Sequence, residues 1–408
     1  MDTRDRFRIL SLDGGGVWAV IEMRALMRLF GEEARGRDVL GHFDLVAANS
    51  AGSVMVAAMI EDYTLSRVLG LLLDEPTRAS IFVYRSLLAK VVPHDWFIGP
   101  RWSTAEKRIG LSAQLPTMGD VPIDRLPEVI GGRRPALLFV AFDYDRERAV
   151  FFRSNRGSRA ANSSPYTPPS LLLAALASSD APVRYFDAPV EIGPAPARRY
   201  WDGGVGGYNN PVLAAVTEAL ANGIAPDRMD VLSIGTGSTH RPLESAVVSP
   251  PLAMPREEPG IVHDFKKLAA AILDEPPDAA SFIAHVALGQ AMPADAGHPV
   301  ADGSLVRMNP VATPVLVGGE WMLPRATHIR DSRFARLVGL DMDVVAQEDV
   351  ALIDEFAREW LADIWPNQPI RGNADGACEI GQPTFGAALA AWRTRMGPGA
   401  RQPSAPPG

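Results

Sequence analysis

The sequence predicts an α/β protein in which a central, mainly parallel β-sheet lies between two layers of helices. A buried strand over 7–12 is followed by a glycine-rich turn and a helix over about 17–33. The same order then recurs, with a strand over 44–49 and a helix over 53–61. Continuously apolar strands that alternate with helices are typical of a parallel sheet covered on both faces. We therefore expect a three-layer α/β/α fold.

The middle of the chain continues this order with shorter elements. The apolar runs here are bounded by proline, glycine and charged residues, which mark the ends of strands and helices. We expect, in order, a helix over 65–73, strands over 137–142 and 149–153, a helix over 171–178 and a buried strand over 230–234.

The last third of the chain is less regular. Proline and serine are frequent over 239–258, which predicts an exposed connection. Helical segments follow over 265–273, 280–290 and 350–364. We expect a core over 1–240, a helical part over 241–396 that completes or covers the core, and a disordered tail over 397–408.

Composition excludes several classes of protein. The 408 residues are 47% hydrophobic and carry a net charge of −8, which argues against binding to nucleic acid and against bulk attraction to anionic lipid. The single cysteine, Cys378, cannot form an intrachain disulfide and fits a reducing compartment. We see no signal peptide, no spanning apolar run and no metal-ligand spacing, so a cytoplasmic protein without metal or cofactor is expected.

Ser50 lies where an apolar strand meets a turn of small residues and then a long apolar helix. The local sequence Ala48-Asn49-Ser50-Ala51-Gly52 differs from the G-x-S-x-G pattern of a nucleophile elbow at its first position. An elbow holds its serine on a sharp strand-to-helix turn that exposes the hydroxyl above the sheet. Ser50 is therefore the candidate nucleophile, and it needs a group that takes its proton.

A glycine-rich turn, Asp13-Gly14-Gly15-Gly16, follows the first strand and opens a helix. Successive glycines let backbone amides converge on one point, where the helix N-terminus adds partial positive charge. From these residues alone, the turn is an oxyanion hole, a phosphate site or a plain tight turn.

The candidate base is Asp202, which ends an apolar strand before Gly203 and Gly204. Its other interpretation is an aspartate that caps a turn. None of the seven histidines lies in a strand-end turn that would direct it at a serine. This favours a serine that works directly with an aspartate over a triad with an imidazole.

Together, the three turns resemble the patatin-like phospholipases. The resemblance is carried by Ser-Leu-Asp-Gly-Gly-Gly at 11–16, Asn-Ser-Ala-Gly at 49–52, Trp-Asp-Gly-Gly-Val at 201–205 and Asn-Asn-Pro at 209–211. Segments at 142–143, 177–182 and 232–237 are similar as well, and the matching order covers roughly residues 7–240.

The resemblance implies a Ser–Asp dyad that hydrolyses acyl esters of lipids through an acyl-enzyme. Ser50 would be the nucleophile and Asp202 the base. The glycine turn, Gly14, Gly15 and Gly16, would form the oxyanion hole. The other motif positions would support the site, and they are Asp13, Ala48, Gly52, Gly203 and Gly204. The implied substrate is a phospholipid, a lysophospholipid or another ester, reached by peripheral membrane contact.

The sequence departs from the family pattern directly after the glycine turn. An aliphatic residue, a basic residue and a glycine are usual there, whereas Val17 is followed by Trp18 and Ala19. This departure removes a positive charge beside the predicted oxyanion hole. Arg24, one to two helical turns further along, is a candidate substitute.

The segment over 81–102 mixes aromatic, aliphatic and basic residues and has two interpretations. One is a core helix followed by a loop. The other is a flap or an interfacial surface near a lipid site.

Two functions from other classes compete with the hydrolase. The first is a catalytically silent relative that binds lipid or protein, which the residues Trp18 and Ala48 suggest. The second is a sugar-kinase-like phosphotransferase, in which the turns at 13–16 and 235–237 would bind phosphates and Ser50 would have no role.

Overall fold

A computed structural model gives the fold of the chain. It describes residues 6–91, 99–130, 135–155, 157–160, 168–245, 248–256, 258–260, 279–295, 298–372 and 378–397. The helix predicted over 265–273 lies outside these ranges, as does the predicted tail beyond Gly397.

A central sheet organises the fold. The strands are, in chain order, β1 (Phe7–Leu12), β2 (Leu45–Ala48), β3 (Ala136–Asp143), β4 (Arg148–Arg153), β5 (Val190–Ile192), β6 (Arg198–Asp202), β7 (Met229–Ile234), β8 (Ser238–Thr239), β9 (Leu305–Met308), β10 (Val311–Ala312), β11 (Val315–Val317), β12 (Glu320–Met322), β13 (Arg371–Gly372) and β14 (Cys378–Ile380). The sheet has the order β5-β6-β3-β2-β1-β7-β9, with β4 also paired to β3. The strands from β3 through β2, β1 and β7 to β9 are parallel, whereas β4, β5 and β6 join antiparallel.

Helices cover both faces of this sheet. They are α1 (Val20–Phe30), α2 (Gly36–Leu40), α3 (Ala51–Ile60), α4 (Leu65–Leu73), α5 (Glu75–Ile81), α6 (Leu87–Val91), α7 (Thr104–Gln114), α8 (Leu126–Ile130), α9 (Leu171–Ser179), α10 (Val212–Ala221), α11 (279–287), α12 (Asp331–Leu337), α13 (Gln347–Leu361) and α14 (Phe385–Met396). None of those described is long and apolar enough to cross a bilayer.

Alternate strand residues divide between two buried cores. Leu10 and Val46 belong to the core beneath α1, α3, α9 and α13, whereas Ile9 and Ala47 belong to the core beneath α10 and α11. This division is what the side-chain period of a strand requires of a sheet covered on both sides. The predicted three-layer α/β/α fold class is therefore confirmed.

Two predicted helix boundaries shift for local reasons. A 3-10 turn over Gly16–Ala19 precedes α1, and α1 ends at Phe30 because the following Gly31 has a positive φ of 96°. The helix expected from residue 53 begins at Ala51, since Ser50 is itself the N-cap.

β2 and β6 lie end to end along one edge of β3, whose other edge is occupied by β4. Residues 45–48 of β2 pair with 136–139 in parallel, and β6 pairs with 141–143 from the opposite direction. Both strands therefore end beside Val140. A Cβ on Gly203, the residue after β6, would lie 2.7 Å from Val140 Cγ1 and 2.4 Å from Asn49 Oδ1, so only glycine fits this junction.

The C-terminal part of the chain both extends and covers the sheet, and it contains short strands as well as helices. Arg307 of β9 forms a buried ion pair with Asp13 of the glycine turn, with Nη1 3.0 Å from Oδ1, and donates to Ser233 Oγ at 2.8 Å. The Asp13 amide donates to Glu22 at 2.7 Å. Burial, together with the Asp13 charge, raises the pKa of Glu22 well above its usual range.

Removing the cation from this buried pair is expected to destabilise the fold. Arg307→Met should lower the free energy of unfolding by about 3–5 kcal/mol, because the Asp13 carboxylate stays buried without its counter-charge. Urea denaturation measures the loss. The double variant Arg307→Met/Asp13→Asn should lose much less, and equal stability of Arg307→Met and the parent would contradict the role of the pair.

Candidate active site

Ser50 has the backbone of a nucleophile elbow. Its φ of 51° and ψ of −124° lie where non-glycine residues are rare, and such strain persists only when the surroundings hold it. The Ser50 amide donates to both the carbonyl oxygen and Oγ of Ser178, each at 3.1 Å. The C-terminal end of α9 therefore holds the turn in place.

Packing explains the residue type at two of the supporting motif positions, Gly52 and Ala48. A Cβ on Gly52 would lie 2.8 Å from the carbonyl oxygens of Leu12 and Asp13, because α3 starts directly against the end of β1. Ala48, by contrast, is a buried residue of β2 in regular register with Leu12 and Phe139. A methyl group therefore fits at the first position of the elbow.

The structure brings Asp202 to Ser50. The Ser50 side chain lies close enough to the Asp202 carboxyl to lower its pKa through hydrogen bonding. Asp202 Oδ1 also accepts from Asn49 Nδ2 at 3.0 Å and from the Gly204 amide at 2.7 Å. The Asp202 amide donates to the Asp180 carbonyl at 3.0 Å, so the end of α9 anchors Ser50 and the residue that follows α9 anchors Asp202.

The environment of Asp202 suits a proton acceptor. Burial raises the pKa of its carboxyl above the ordinary value, and hydrogen bonds from Ser50, Gly204 and Asn49 offset part of that rise. A buried carboxylate with a raised pKa holds a proton more readily than an exposed one. Such a group can take a proton from a neighbouring hydroxyl and return it.

The glycine turn lies directly against Ser50. A Cβ on Gly14 would lie 2.8 Å from Ser50 Cβ and 2.2 Å from Asn209 Oδ1, so this approach requires glycine. The Gly14 amide donates to the Asn209 carbonyl at 2.9 Å. Within the described chain, the amides of Gly15 and Gly16 have no such partner. These two amides are therefore the ones free to bind a ligand.

A cavity opens beside Ser50 and Gly16, and it contains about 880 Å³ of space when its opening to solvent is included. The walls come from α3, α4, α5 and α7 and are mainly apolar, and they include Val54, Met55, Ala58, Leu71, Leu72, Ile81, Phe82, Leu111, Leu115 and Phe186. The arrangement therefore places Ser50 at the wall of a mainly apolar cavity.

Sequence reasoning missed a buried ion pair beside this cavity. Lys107 of α7 donates through Nζ to the Ser179 carbonyl and to Asp180 Oδ1, the latter at 3.2 Å. Thr104 Oγ1 donates to the other Asp180 oxygen at 2.8 Å. Lys107 has the sequence environment of a surface lysine, and nothing local reveals that α7 turns it inward.

The proposed substitute for the missing basic residue is wrong. Arg24 donates to both carboxylate oxygens of Asp354 on α13, at 2.7 and 2.9 Å. It is held there by a bidentate ion pair, which fixes its orientation. Trp18 likewise packs edge-on against Phe356 of α13, with ring centroids 6.4 Å apart.

The turn at 235–237 does not favour the phosphotransferase alternative. The amides of Gly235 and Gly237 donate to the Met308 carbonyl and to Asn309 Oδ1, so this turn does not offer them to a phosphate. None of the described histidines lines the cavity. The described residues also contain no group of three or more His, Cys, Asp and Glu that could hold a metal ion.

Comparison with solved structures gives distant similarities. VipD from Legionella pneumophila has 11% identity and a TM-score of 0.36, with 87% of this chain and 67% of VipD covered. Human GIVD cytosolic phospholipase A2 has 11% identity and a TM-score of 0.42, with 97% of this chain and 61% of the human protein covered. The chain thus spans about three-fifths of the length of the human protein. No curated protein matches the sequence.

The family comparison covers the part of the chain that carries the site. Residues 10–216 match the model of the patatin-like phospholipases. This range is half of the chain and includes the glycine turn, Ser50 and Asp202. The chain therefore belongs to the patatin-like phospholipase family of lipid hydrolases.

Proposed function

We propose that this protein is a lipid acyl hydrolase in which Ser50 is the nucleophile and Asp202 the base. The observation that carries the proposal is that Ser50, on its strained elbow, lines an apolar cavity and lies within hydrogen-bonding range of the buried Asp202 carboxyl. A serine hydroxyl reacts with esters only when a neighbouring base takes its proton. Asp202 is the group in contact with that hydroxyl.

The reaction proceeds in two halves. Ser50 Oγ attacks the ester carbonyl carbon while its proton passes to Asp202. The tetrahedral intermediate then collapses, the C–O bond to the alcohol breaks, and Asp202 protonates the leaving alcohol. Water next gives a proton to Asp202 and attacks the acyl group on Ser50. The fatty acid leaves, and the proton returns to Ser50.

Two of the three glycines predicted for the oxyanion hole are proposed as its hydrogen-bond donors. The Gly14 amide is occupied by Asn209, so Gly15 and Gly16 are the proposed donors. The contribution of Gly14 is instead its missing side chain, which lets the turn approach Ser50. In other hydrolases, loss of one donor costs about 3 kcal/mol of transition-state stabilisation.

The lining of the cavity favours a long acyl group over a small polar substrate. Its apolar walls begin at Val54 and Met55, on the helix that follows Ser50, and continue to Leu111 on α7 and to Leu115 directly after α7. Burial of each methylene is worth about 0.8 kcal/mol, so a fatty acyl chain gains most of its affinity here. Phospholipids, lysophospholipids and other fatty acyl esters all satisfy this requirement.

Substitution of the dyad is expected to abolish hydrolysis. Ser50→Ala and Asp202→Asn should each lower kcat/KM for a p-nitrophenyl ester by about 10³-fold or more, because each removes a group that acts in the transition state. Ser154→Ala is a matched control, since this buried serine accepts from the Leu137 amide at the N-terminal end of β3. Equal rates for Ser50→Ala and the parent would instead favour the catalytically silent alternative.

The pH profile should report the raised pKa of Asp202. The ionised form acts as base, so kcat/KM falls as pH drops through the pKa of Asp202. Because burial raises that pKa, the acidic limb should lie above the ordinary aspartate range. The measurement is kcat/KM against pH on a soluble ester. A flat profile down to the range of an exposed aspartate would exclude Asp202 as the base.

A further inference from the structure

The site lacks the basic residue that usually follows the glycine turn, and Arg24 does not replace it. A different cation reaches the cavity from α7. Lys107 lines the same cavity as Ser50 and Gly16, and its side chain is only 4% exposed. We propose that Lys107 supplies the missing positive charge and acts as a positioning residue for the dyad. This inference rests on the proposed function.

Hydrogen bonds connect Lys107 to both members of the dyad through three successive residues, Ser178 and Ser179 at the end of α9 and the following Asp180. Lys107 Nζ binds the Ser179 carbonyl and the Asp180 carboxylate. Ser178, on one side, accepts from the Ser50 amide, and the Asp180 carbonyl, on the other, accepts from the Asp202 amide. Lys107 therefore fixes the segment that positions nucleophile and base relative to each other.

The charge of Lys107 also acts on the base. Asp180 and Asp202 are two buried carboxylates close enough for Asp202 to raise the pKa of Asp180. The pKa of Asp180 is raised to about 6, because the effect of burial exceeds the lowering by Lys107. Lys107 lowers the pKa of Asp202 as well. Burial lowers the pKa of Lys107, whereas both carboxylates raise it. Lys107 is the charged group that lowers the pKa of Asp202, and Asp180 interacts electrostatically with Asp202.

A contact with an aromatic ring supports a fixed position for this ammonium group. Nζ of Lys107 lies 4.0 Å from the centroid of Phe186, which is itself part of the cavity wall. A desolvated cation over a ring face gains electrostatic attraction that a mobile surface lysine lacks. Lys107 is therefore held between the carboxylate and the cavity.

Opposite shifts of the pH profile test the proposal. Lys107→Met removes the positive charge, so the acidic limb of kcat/KM should move to higher pH by about one unit or more. Asp180→Asn removes the negative charge and leaves Lys107 in place, so the limb should move to lower pH. The double variant Lys107→Met/Asp180→Asn removes both charges and should return the limb towards that of the parent.

Thermal unfolding identifies which variants fold. If Lys107→Met does not fold, the pH profile of Asp180→Asn still tests the proposal. A uniform loss of kcat/KM at every pH, with an unmoved limb in both single variants, would overturn the proposal. The proposed function fails separately, if Ser50→Ala retains the parent rate. If Ser50→Ala abolishes activity but the acidic limbs of Lys107→Met and Asp180→Asn stay where the parent has its limb, only the role of Lys107 is rejected.

A second inference rests on an independent surface. The core-helix interpretation of 81–102 is wrong for α6, because Leu87, Leu88 and Val91 are 82%, 66% and 77% exposed. Ala89 is buried and its carbonyl accepts a hydrogen bond from Arg101, so one side of α6 packs against the protein. The two leucines of α6 are exposed to solvent. Residues 92–98 lie outside the described part of the chain.

The surroundings of α6 indicate what covers it. Arg85 and Lys90 are exposed beside these apolar residues, and the sequence over 76–91 contains no acidic residue in a chain of net charge −8. The segment is continuous with the cavity, because Ile81 and Phe82 line its wall. We propose that α6 docks on an anionic phospholipid surface, with its leucines among the acyl chains and its cations at the headgroups.

Vesicle binding of a Ser50→Ala protein tests this surface without hydrolysis. Sedimentation should show binding to phosphatidylcholine vesicles that contain phosphatidylglycerol, and weaker binding to pure phosphatidylcholine. Leu87→Asp/Leu88→Asp should weaken binding more than tenfold, and each of Arg85→Gln and Lys90→Gln about fivefold. The control is Ile283→Asp/Val286→Asp, which changes exposed apolar residues of α11, a helix that packs on the same core as α10.

Activity provides a second readout for the same surface. In the Ser50-containing protein, Leu87→Asp/Leu88→Asp should leave hydrolysis of soluble p-nitrophenyl butyrate unchanged and reduce hydrolysis of vesicle phospholipid. Equal vesicle binding by the α6 variant and the α11 control would overturn the proposal. Preference for a soluble protein partner over vesicles would overturn it as well.

Discussion

The end-to-end arrangement of β2 and β6 on one edge of β3 is the constraint on which the site depends. β3 is longer than β2, and β6 pairs with the remaining length from the opposite direction. Two chain segments therefore leave the sheet beside Val140, one towards Ser50 and one from Asp202. Residues 153 positions apart become hydrogen-bonded neighbours there, as the contact of Asn49 with Asp202 shows. Gly14 and Gly203 are glycines because no side chain fits this junction.

Much of this arrangement follows from local sequence. The parallel strands appear as apolar runs, and the Ser50 elbow and the glycine turns carry backbone demands that only small residues meet. Partners across the fold leave no comparable signal. The Asn209 carbonyl that occupies the Gly14 amide, the carboxylate that Arg24 binds, and the inward orientation of Lys107 all depend on tertiary packing. The local sequence did not determine whether α6 is exposed either, because its composition suits both a core helix and an interfacial helix.

Buried charge connects distant parts of the chain to the dyad. The ion pair of Arg307 with Asp13 links the C-terminal part of the chain to the glycine turn. The ion pair of Lys107 with Asp180 links α7 to the end of α9. Buried ion pairs offset their desolvation only when further hydrogen bonds satisfy the charged groups. Ser233 and Thr104 provide such bonds here. Both pairs therefore constrain the geometry of the site more than they contribute net stability.

The proposed dyad is tested most directly by identifying where the acyl group resides during turnover. The protein is mixed with a long-chain p-nitrophenyl ester, quenched in acid within the first turnovers and digested for mass spectrometry. The Ser50–Asp202 dyad predicts an acyl group on Ser50, formed far more slowly in Asp202→Asn. Hydrolysis that proceeds with the acyl group on another residue, or with none on Ser50, would contradict it.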